Sequence, residues 1–522
     1  MTLRTVRILF VIGLTMATFG CNETPKDVHG DAAKPNIIYI LTDDLGYGEL
    51  GVYGQKKIET PHIDALAKNG MLFTQHYTSA PVCAPARYML MTGKHSGHAY
   101  IRGNDEWGSR GEVWDYRAMI RDSTLEGQRP IPDTDSLIPQ KLQKMGYVTG
   151  SVGKWGLGAP HTNSIPPKKG FDFFFGFNCQ RQAHTYYPVH LYKNERRVYL
   201  NNDTIAPNTK LPKGADPYDP SSYADYTLND YAPELMFHEM KNFVSRNKDR
   251  PFFFYWATPI PHNPIQAPQR WVNHYVKKFG EEEPYLGEKG YFPHRNPRAG
   301  YAAMISYLDE NVGKLVEHLK REGLYENTLI ILTSDNGVTF TGGTDGSFFN
   351  SSGPFGEERG RGKGFVYEGG IRVPMIAMWP GHIEAGSKTD HISAQYDVMA
   401  TLADLTGYET PNTTDGISFL PTLLGKGDQK KHEFLYWEFP AYGGQVALRM
   451  NDWKLVRQHL KDKQEPTLEL YNLREDPTES NNVALKHPEI IKRAAAIFKK
   501  EHENAQLERF RIPLIENGLL EN

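Results

Sequence analysis

The chain has 522 residues, 39% hydrophobic and 23% charged, with a formal net charge of -3. That length exceeds one ordinary domain and that composition excludes a disordered chain, so a large domain with a smaller companion is expected. With so little net charge no global field recruits nucleic acid, and none is expected as a partner.

Arg4 and Arg7 precede an apolar run from Ile8 to Phe19, and Gly20-Cys21 follows. The run is too short to span a bilayer and has the pattern of a signal peptide over 1–20. Two outcomes stay open at its end: simple cleavage, or Cys21 as a lipidated first residue that anchors the protein to a membrane. Residues 21–34 are polar and read as a tether. Export from a bacterial cell, to the periplasm or as an outer-membrane lipoprotein, is therefore expected. Only Cys21, Cys83 and Cys179 are present, which excludes a disulfide framework.

Asn36 to Thr42 is a short apolar run that suits a central strand buried on both faces. Asp43 and Asp44 then fall at its carboxyl edge, where open α/β sheets bind ligands. Alone, such a pair is also a helix cap or a solvated turn. Thr60 is expected to cap a helix with Pro61 at its first position, stopping at Gly70. Met71 to Thr78 reads as a strand leading to Cys83-Ala84-Pro85-Ala86-Arg87. That pentapeptide suits a turn opening a helix, with the thiol near free N–H groups that favour its anion.

The unit recurs. Helix Leu137 to Met145 and strand Val148 to Val152 lead to the loop Gly153-Lys154-Trp155-Gly156-Leu157-Gly158. Helix Pro233 to Asn247 and strand Pro251 to Ala257 lead to His262, set between prolines. The amphipathic helix Tyr301 to Leu319 and strand Leu329 to Leu332 lead to Ser334-Asp335-Asn336-Gly337. Asp335 and Asn336 would join Asp43 and Asp44 as hard oxygen ligands, which suit Ca²⁺ better than Zn²⁺ and leave Mg²⁺ open. Gly342 to Gly362 reads as a mobile loop near the site mouth. After helix Tyr396 to Leu405 the pattern changes to short alternating strands, with a tight turn at Asn451-Asp452.

Cys83-Ala84-Pro85-Ala86-Arg87 with Met91-Thr92-Gly93-Lys94 resembles the signature of the type I sulfatases. So do Asp43-Asp44-Leu45-Gly46-Tyr47-Gly48, the Gly153 to Gly158 loop and the string from Gly362 to Pro374, and the likeness extends from about Pro35 to about Ala484. It implies an α/β fold of the alkaline-phosphatase and sulfatase kind: a large mixed sheet sandwiched by helices over 35–425, with a small antiparallel subdomain over 426–522. It also implies that a formylglycine-generating maturation enzyme oxidises Cys83 to formylglycine, whose aldehyde hydrate supplies the nucleophilic oxygen. One Ca²⁺ would be held by Asp43, Asp44, residue 83, Asp335 and Asn336. Arg87, Lys154 and Lys363 would serve the nucleophile and the sulfate, and His262 would be the general acid toward the leaving oxygen, an imidazole being protonatable near neutral pH.

One position departs from the family: Gly156 stands where relatives carry a histidine thought to assist sulfate release. Either another group such as His161 takes this step or the step is handled differently. The implied substrate is a sulfated glycan, algal (ulvan or carrageenan) or from a host. His98, Arg102, Arg181 and His184 are the candidate sugar contacts. Two other readings stay open: a phosphonate or phosphate-ester hydrolase of the same superfamily, and a non-catalytic glycan-binding surface protein, which only Gly156 favours.

Overall fold

In the computed structural model, residues 34–356 and 361–518 are described. The signal-like run, Cys21 and nearly all of the tether lie outside them, as does 357–360 within the Gly342 to Gly362 segment.

Asn36–Thr42 is the central strand of an eleven-stranded mixed sheet, and all seven of its residues are buried. It pairs in parallel with Phe252–Ala257 on one side and Thr328–Ser334 on the other. Val148–Lys154 and Phe173–Phe177 continue the parallel run beyond Phe252–Ala257. On the opposite flank Arg372–Met378 runs antiparallel to Thr328–Ser334, and Met71–Tyr77 antiparallel to Arg372–Met378. The sheet is closed by Ser387–Thr389 and Ser393–Ala394 beside Met71–Tyr77, and by the hairpin His190–Lys193 and Arg196–Tyr199 at the far edge.

Strand alternation divides the core into two layers. Ile38 and Ile40 join Ile330, Leu332, Phe252 and Phe254 under helices Pro61–Lys68, Ala232–Arg246 and Pro297–Arg321. Ile37, Tyr39 and Leu41 point the other way, into a layer built with helices Cys83–Thr92, Ile138–Lys144 and Asp397–Thr406. Each such fully buried side chain contributes about 1.5–3 kcal/mol, so the strand ends stand on a rigid base.

Two expectations change. Thr60 stands at the N-cap with Pro61 after it, but its hydroxyl makes no capping bond: it accepts the Gly51 N–H at 2.8 Å and donates to Asp64. Within Gly342 to Gly362, short helices Gly346–Phe349 and Gly353–Phe355 pack against the turn after Asp44, where Gly48 N–H donates to the Ser351 carbonyl at 2.7 Å.

The C-terminal sheet is Leu435–Phe439, Gln445–Met450, Trp453–Arg457 and Glu469–Asn472, all antiparallel, with helix Pro488–Glu501 against it. Asn451 turns the middle hairpin in the left-handed region at φ 53°. The small sheet shares a core with the large one: Leu435, Trp437, Ala447 and Val456 pack with Tyr77, Val82, Val366 and Ile371. A buried ion triad ties them further, with Lys454 Nζ 2.9 Å from Glu368 and 2.8 Å from Glu479. Gln445 donates to the Gly364 carbonyl at 2.9 Å and accepts the Val366 N–H, so the small sheet grips the backbone just after Lys363.

Candidate active site

Four parallel strand ends and the Cys83–Thr92 helix converge on one buried cluster. Asp43 and Asp44 leave the central strand, and Asp44 adopts the left-handed conformation at φ 69°, which turns successive carboxylates toward different partners. Asp335 leaves the neighbouring strand, its N–H bonded to the Thr42 carbonyl at 3.0 Å. Gly337 follows, where a Cβ would lie 1.9 Å from the Gly369 carbonyl oxygen; only glycine fits there.

Asp43 is the hub. One of its oxygens lies 3.3 Å from Cys83 Sγ, while the other receives Lys154 Nζ at 2.7 Å and faces Arg87 at 3.4 Å. Arg87 also grips Asp335 at 2.8 Å and donates to the Lys154 carbonyl at 2.7 Å, joining three motifs through one guanidinium. Lys363 reaches Asp44 at 2.6 Å and Cys83 Sγ at 3.4 Å. Asn336 donates to Asp44 at 2.8 Å. His262 lies 3.9 Å from Asp44 and stacks on His184 with ring centres 5.4 Å apart.

The electrostatics follow from this packing. Burial raises the Asp43 carboxyl, but Lys154, Arg87 and Lys363 together hold it well below the usual carboxylate range. Asp335 is pushed up to about 6 by burial and by Asp43, and Asp44 is also raised, chiefly by burial. The Cys83 thiol is pushed up, contrary to the expectation from its helix N-terminus, because burial and the Asp43 charge outweigh the lysines. His262 is held neutral by burial and Lys363. Its Nδ1 faces the Asn263 carbonyl at 2.5 Å, and since a carbonyl only accepts, Nδ1 carries the proton and Nε2 is left toward the cluster. The expectation of a histidine already protonated near neutral pH is therefore corrected.

The residues present fit a hard divalent cation. Asn336 Oδ1 is buried without a hydrogen-bond partner among the described residues, Asp43, Asp44, Cys83 and His262 bring donor atoms within 4.8 Å of one another, and Arg87 holds the third carboxylate, Asp335. Three cationic side chains face those three carboxylates, so a divalent ion would leave the site net positive, as an anionic ester requires.

The sugar-contact candidates separate. His184 lies against His262 in the cluster. Arg181 stands over Trp114, its guanidinium 4.7 Å from a ring that is 58% exposed. His98 belongs elsewhere, bonded to Asp415 at 2.8 Å and stacked on His95. Arg102 is corrected as a sugar contact. It is buried, and four of its five guanidinium N–H groups are taken by Glu438 and by the Ala99, Gly97 and Glu503 carbonyls, which holds it inside the protein and away from a ligand. Arg102→Met is accordingly expected to lower the unfolding midpoint, by the roughly 3–5 kcal/mol of a broken buried pair, with KM unchanged; a raised KM at unchanged stability would return Arg102 to the sugar site. His161 is exposed and bonded to Ser123 at 2.7 Å, outside the cluster. Tyr291 was missed: its ring meets His184 at 5.3 Å and His262 at 5.7 Å, and no sequence motif marks it.

A buried set of carboxylates and cations around one sulfur, at the carboxyl edge of the parallel strands, suits a hydrolase of anionic esters. The chain belongs to the sulfatase family, the sulfuric ester hydrolases: the family model described as Sulfatase matches residues 35–408, and one described as N-sulphoglucosamine sulphohydrolase, C-terminal, matches 356–506. It is 31% identical to human N-acetylgalactosamine-6-sulfatase over 412 residues, covering 76% of this chain and 67% of that protein. It is 29% identical to the N-acetylgalactosamine-6-O-sulfatase of Bacteroides thetaiotaomicron, covering 93% and 97%. The crystal structure of Ps i-CgsB in complex with k-i-k-neocarrahexaose superposes with a TM-score of 0.71 at 28% identity, covering 90% of this chain and 94% of that one.

Proposed function

We propose that this protein is an exported bacterial sulfatase that removes sulfate esters from sugars of a sulfated polysaccharide, using a nucleophile made from Cys83. The observation that carries the reading is the position of Cys83 Sγ between Asp43, at 3.3 Å, and Lys363, at 3.4 Å, with Lys154 on the same aspartate. Conversion of Cys83 to formylglycine by a maturation enzyme would supply an aldehyde hydrate as the oxygen nucleophile. A Ca²⁺ ion held by Asp43, Asp44, residue 83, Asp335 and Asn336 would supply positive charge for the sulfonate oxygens. Lys154 and Lys363 flank that place from two sides and would neutralise the charge that develops on sulfate. Arg87 braces Asp43 and Asp335. His262, whose Nδ1–H is held by the Asn263 carbonyl, would need a second proton on Nε2 to act as the general acid toward the leaving sugar oxygen.

Sulfated sugars are supported as the substrate class by the N-acetylgalactosamine-6-sulfatases and by the carrahexaose complex among the similar proteins. The exposed Trp114 with Arg181 over it offers an apolar face and a cation to such a chain. The apolar run behind Arg4 and Arg7 supports export, with Cys21 as the lipid-bearing residue of an anchored form.

The test is the mass of the peptide carrying residue 83 after expression with a formylglycine-generating enzyme, together with sulfate release from N-acetylgalactosamine 6-sulfate, carrageenan and ulvan oligosaccharides, and phosphate release from matched esters. An aldehyde with sulfate release supports the reading. An unmodified thiol under competent maturation, or faster release of phosphate than of sulfate, overturns it. Stripping divalent ions is expected to lower both the unfolding midpoint and turnover, the latter by on the order of 10²-fold, and Ca²⁺ to restore both better than Zn²⁺. Indifference to chelation would exclude the oxygen-ligand site.

A further inference from the structure

Gly156 leaves a space, and another residue fills it. The glycine is in the left-handed region at φ 70°, and a Cβ built on it would lie 2.9 Å from Gln180 Cγ. Gln180 is only 3% exposed. Its Nε2 donates to Asn104 Oδ1 at 3.3 Å, and the same oxygen accepts the Ala84 N–H at 3.1 Å, in the first turn of the helix that begins at Cys83. Asn104 Oδ1 can only accept, so the amide orientation of Gln180 is settled and Oε1 is the atom left over. That oxygen is buried without a partner among the described residues. A buried acceptor without a donor costs about 1–3 kcal/mol, and a donor gained at residue 83 would relieve that cost.

We propose that Gln180 is a positioning residue for the modified side chain at position 83: its Oε1 accepts a hydrogen bond from one hydroxyl of the hydrated aldehyde. This rests on the formylglycine reading above. Addition of water across the aldehyde C=O forms one new C–O bond and places two hydroxyls where the thiol has one sulfur. One occupies the side facing Asp43 and Lys363, as Sγ does now. Asn104, bonded both to the Ala84 N–H and to Gln180, sets Gln180 beside the start of the helix, and the other hydroxyl is assigned to that side. An amide oxygen accepts a hydrogen bond but does not take up the proton, so Gln180 favours the hydrate over the free aldehyde without acting as a base.

The experiment compares the calcium-loaded, modified protein with its Gln180→Met variant, reading the rate at which an aminooxy probe labels residue 83. Only the free aldehyde reacts, so loss of one hydrogen bond to the hydrate is expected to speed labelling roughly three- to tenfold and to slow turnover by a similar factor at unchanged KM. In the unmodified protein Gln180→Met is expected to leave the unfolding midpoint unchanged, because removal of an unpartnered buried acceptor offsets loss of the Nε2 bond to Asn104. Equal labelling rates in the two proteins, or a midpoint lowered by the variant before modification, would overturn the inference and make Gln180 a packing residue. Failure of the underlying reading looks different: mass spectrometry then finds a thiol at residue 83 in both proteins, and the inference falls with it.

Discussion

Cys83→Ser is expected to lose sulfate release by on the order of 10⁴-fold while keeping the fold. Serine replaces the buried sulfur with a smaller hydroxyl that still reaches toward Asp43 and Lys363, so the cluster of Arg87, Lys154 and the three carboxylates is left intact. What disappears is the chemistry. A serine hydroxyl offers one oxygen, and once that oxygen has taken the sulfate there is no second hydroxyl on the same carbon to expel it. The expected signature is at most one sulfate captured per chain, visible as a mass increase on the peptide carrying residue 83, with an unfolding midpoint close to that of the parent. Near-normal turnover in this variant would sink the proposed nucleophile.

Lys454→Met is expected to destabilise the protein by about 3–5 kcal/mol at pH 8. Methionine fills nearly the same volume, so the loss comes from charge. Glu368 and Glu479, both buried, lose the ammonium between them. With Lys454 present, burial raises Glu368 but Lys454 and Arg372 bring it down to about 2, whereas Glu479 is pushed up to about 7 by burial despite Lys454. Removal of the lysine raises both. A carboxyl whose folded value lies above its unfolded one contributes stability that is present below the unfolded value, about 4.5, and is lost as pH rises through the folded value. The deficit of the variant is therefore expected to be larger at pH 8 than at pH 5, read as the difference in denaturant midpoint from the parent at each pH. A deficit independent of pH would assign the effect to packing and not to stranded carboxylates. Because Glu368 follows the Lys363 loop and Gln445 holds that loop from the small sheet, turnover of the variant is expected to fall as well.

Much of this site was legible in local pattern. Short apolar runs bounded by turn residues mark buried strands, and a residue immediately after such a run has little choice but to stand at the sheet edge. This is why Asp43, Asp44, Asp335 and Asn336 could be placed together before any coordinates. Cys83 at the start of its helix was legible for the same reason, through Pro85 and the small residues beside it. Lys154 was expected in a loop after Val152, yet the strand runs on through it, because Gly153 and Lys154 pair with Ala257 and Phe177 on neighbouring strands. Pairing partners distant in sequence decide where such a strand ends. Arg102 and His98 show the opposite error: proximity to the signature in sequence suggested a sugar contact, while the helix that separates them from Cys83 carries Arg102 to Glu438 and His98 to Asp415.

The sequence by itself determined the strand edge that bears the acidic residues and the change to short alternating strands near the C-terminal end, since these depend on apolar period, turn chemistry and residue type, while the mixed sheet, its small companion and the gathering of Arg87, Lys154 and Lys363 were implied by the resemblance to the sulfatases. Only the tertiary structure decided their electrical state and their neighbours. The thiol is raised and not lowered, His262 is neutral, Arg102 is a structural tie, and Gln180 lies in the space beside Gly156. Burial depth and contacts between segments separated by tens to hundreds of residues set these properties, and neither is written in any local stretch of chain.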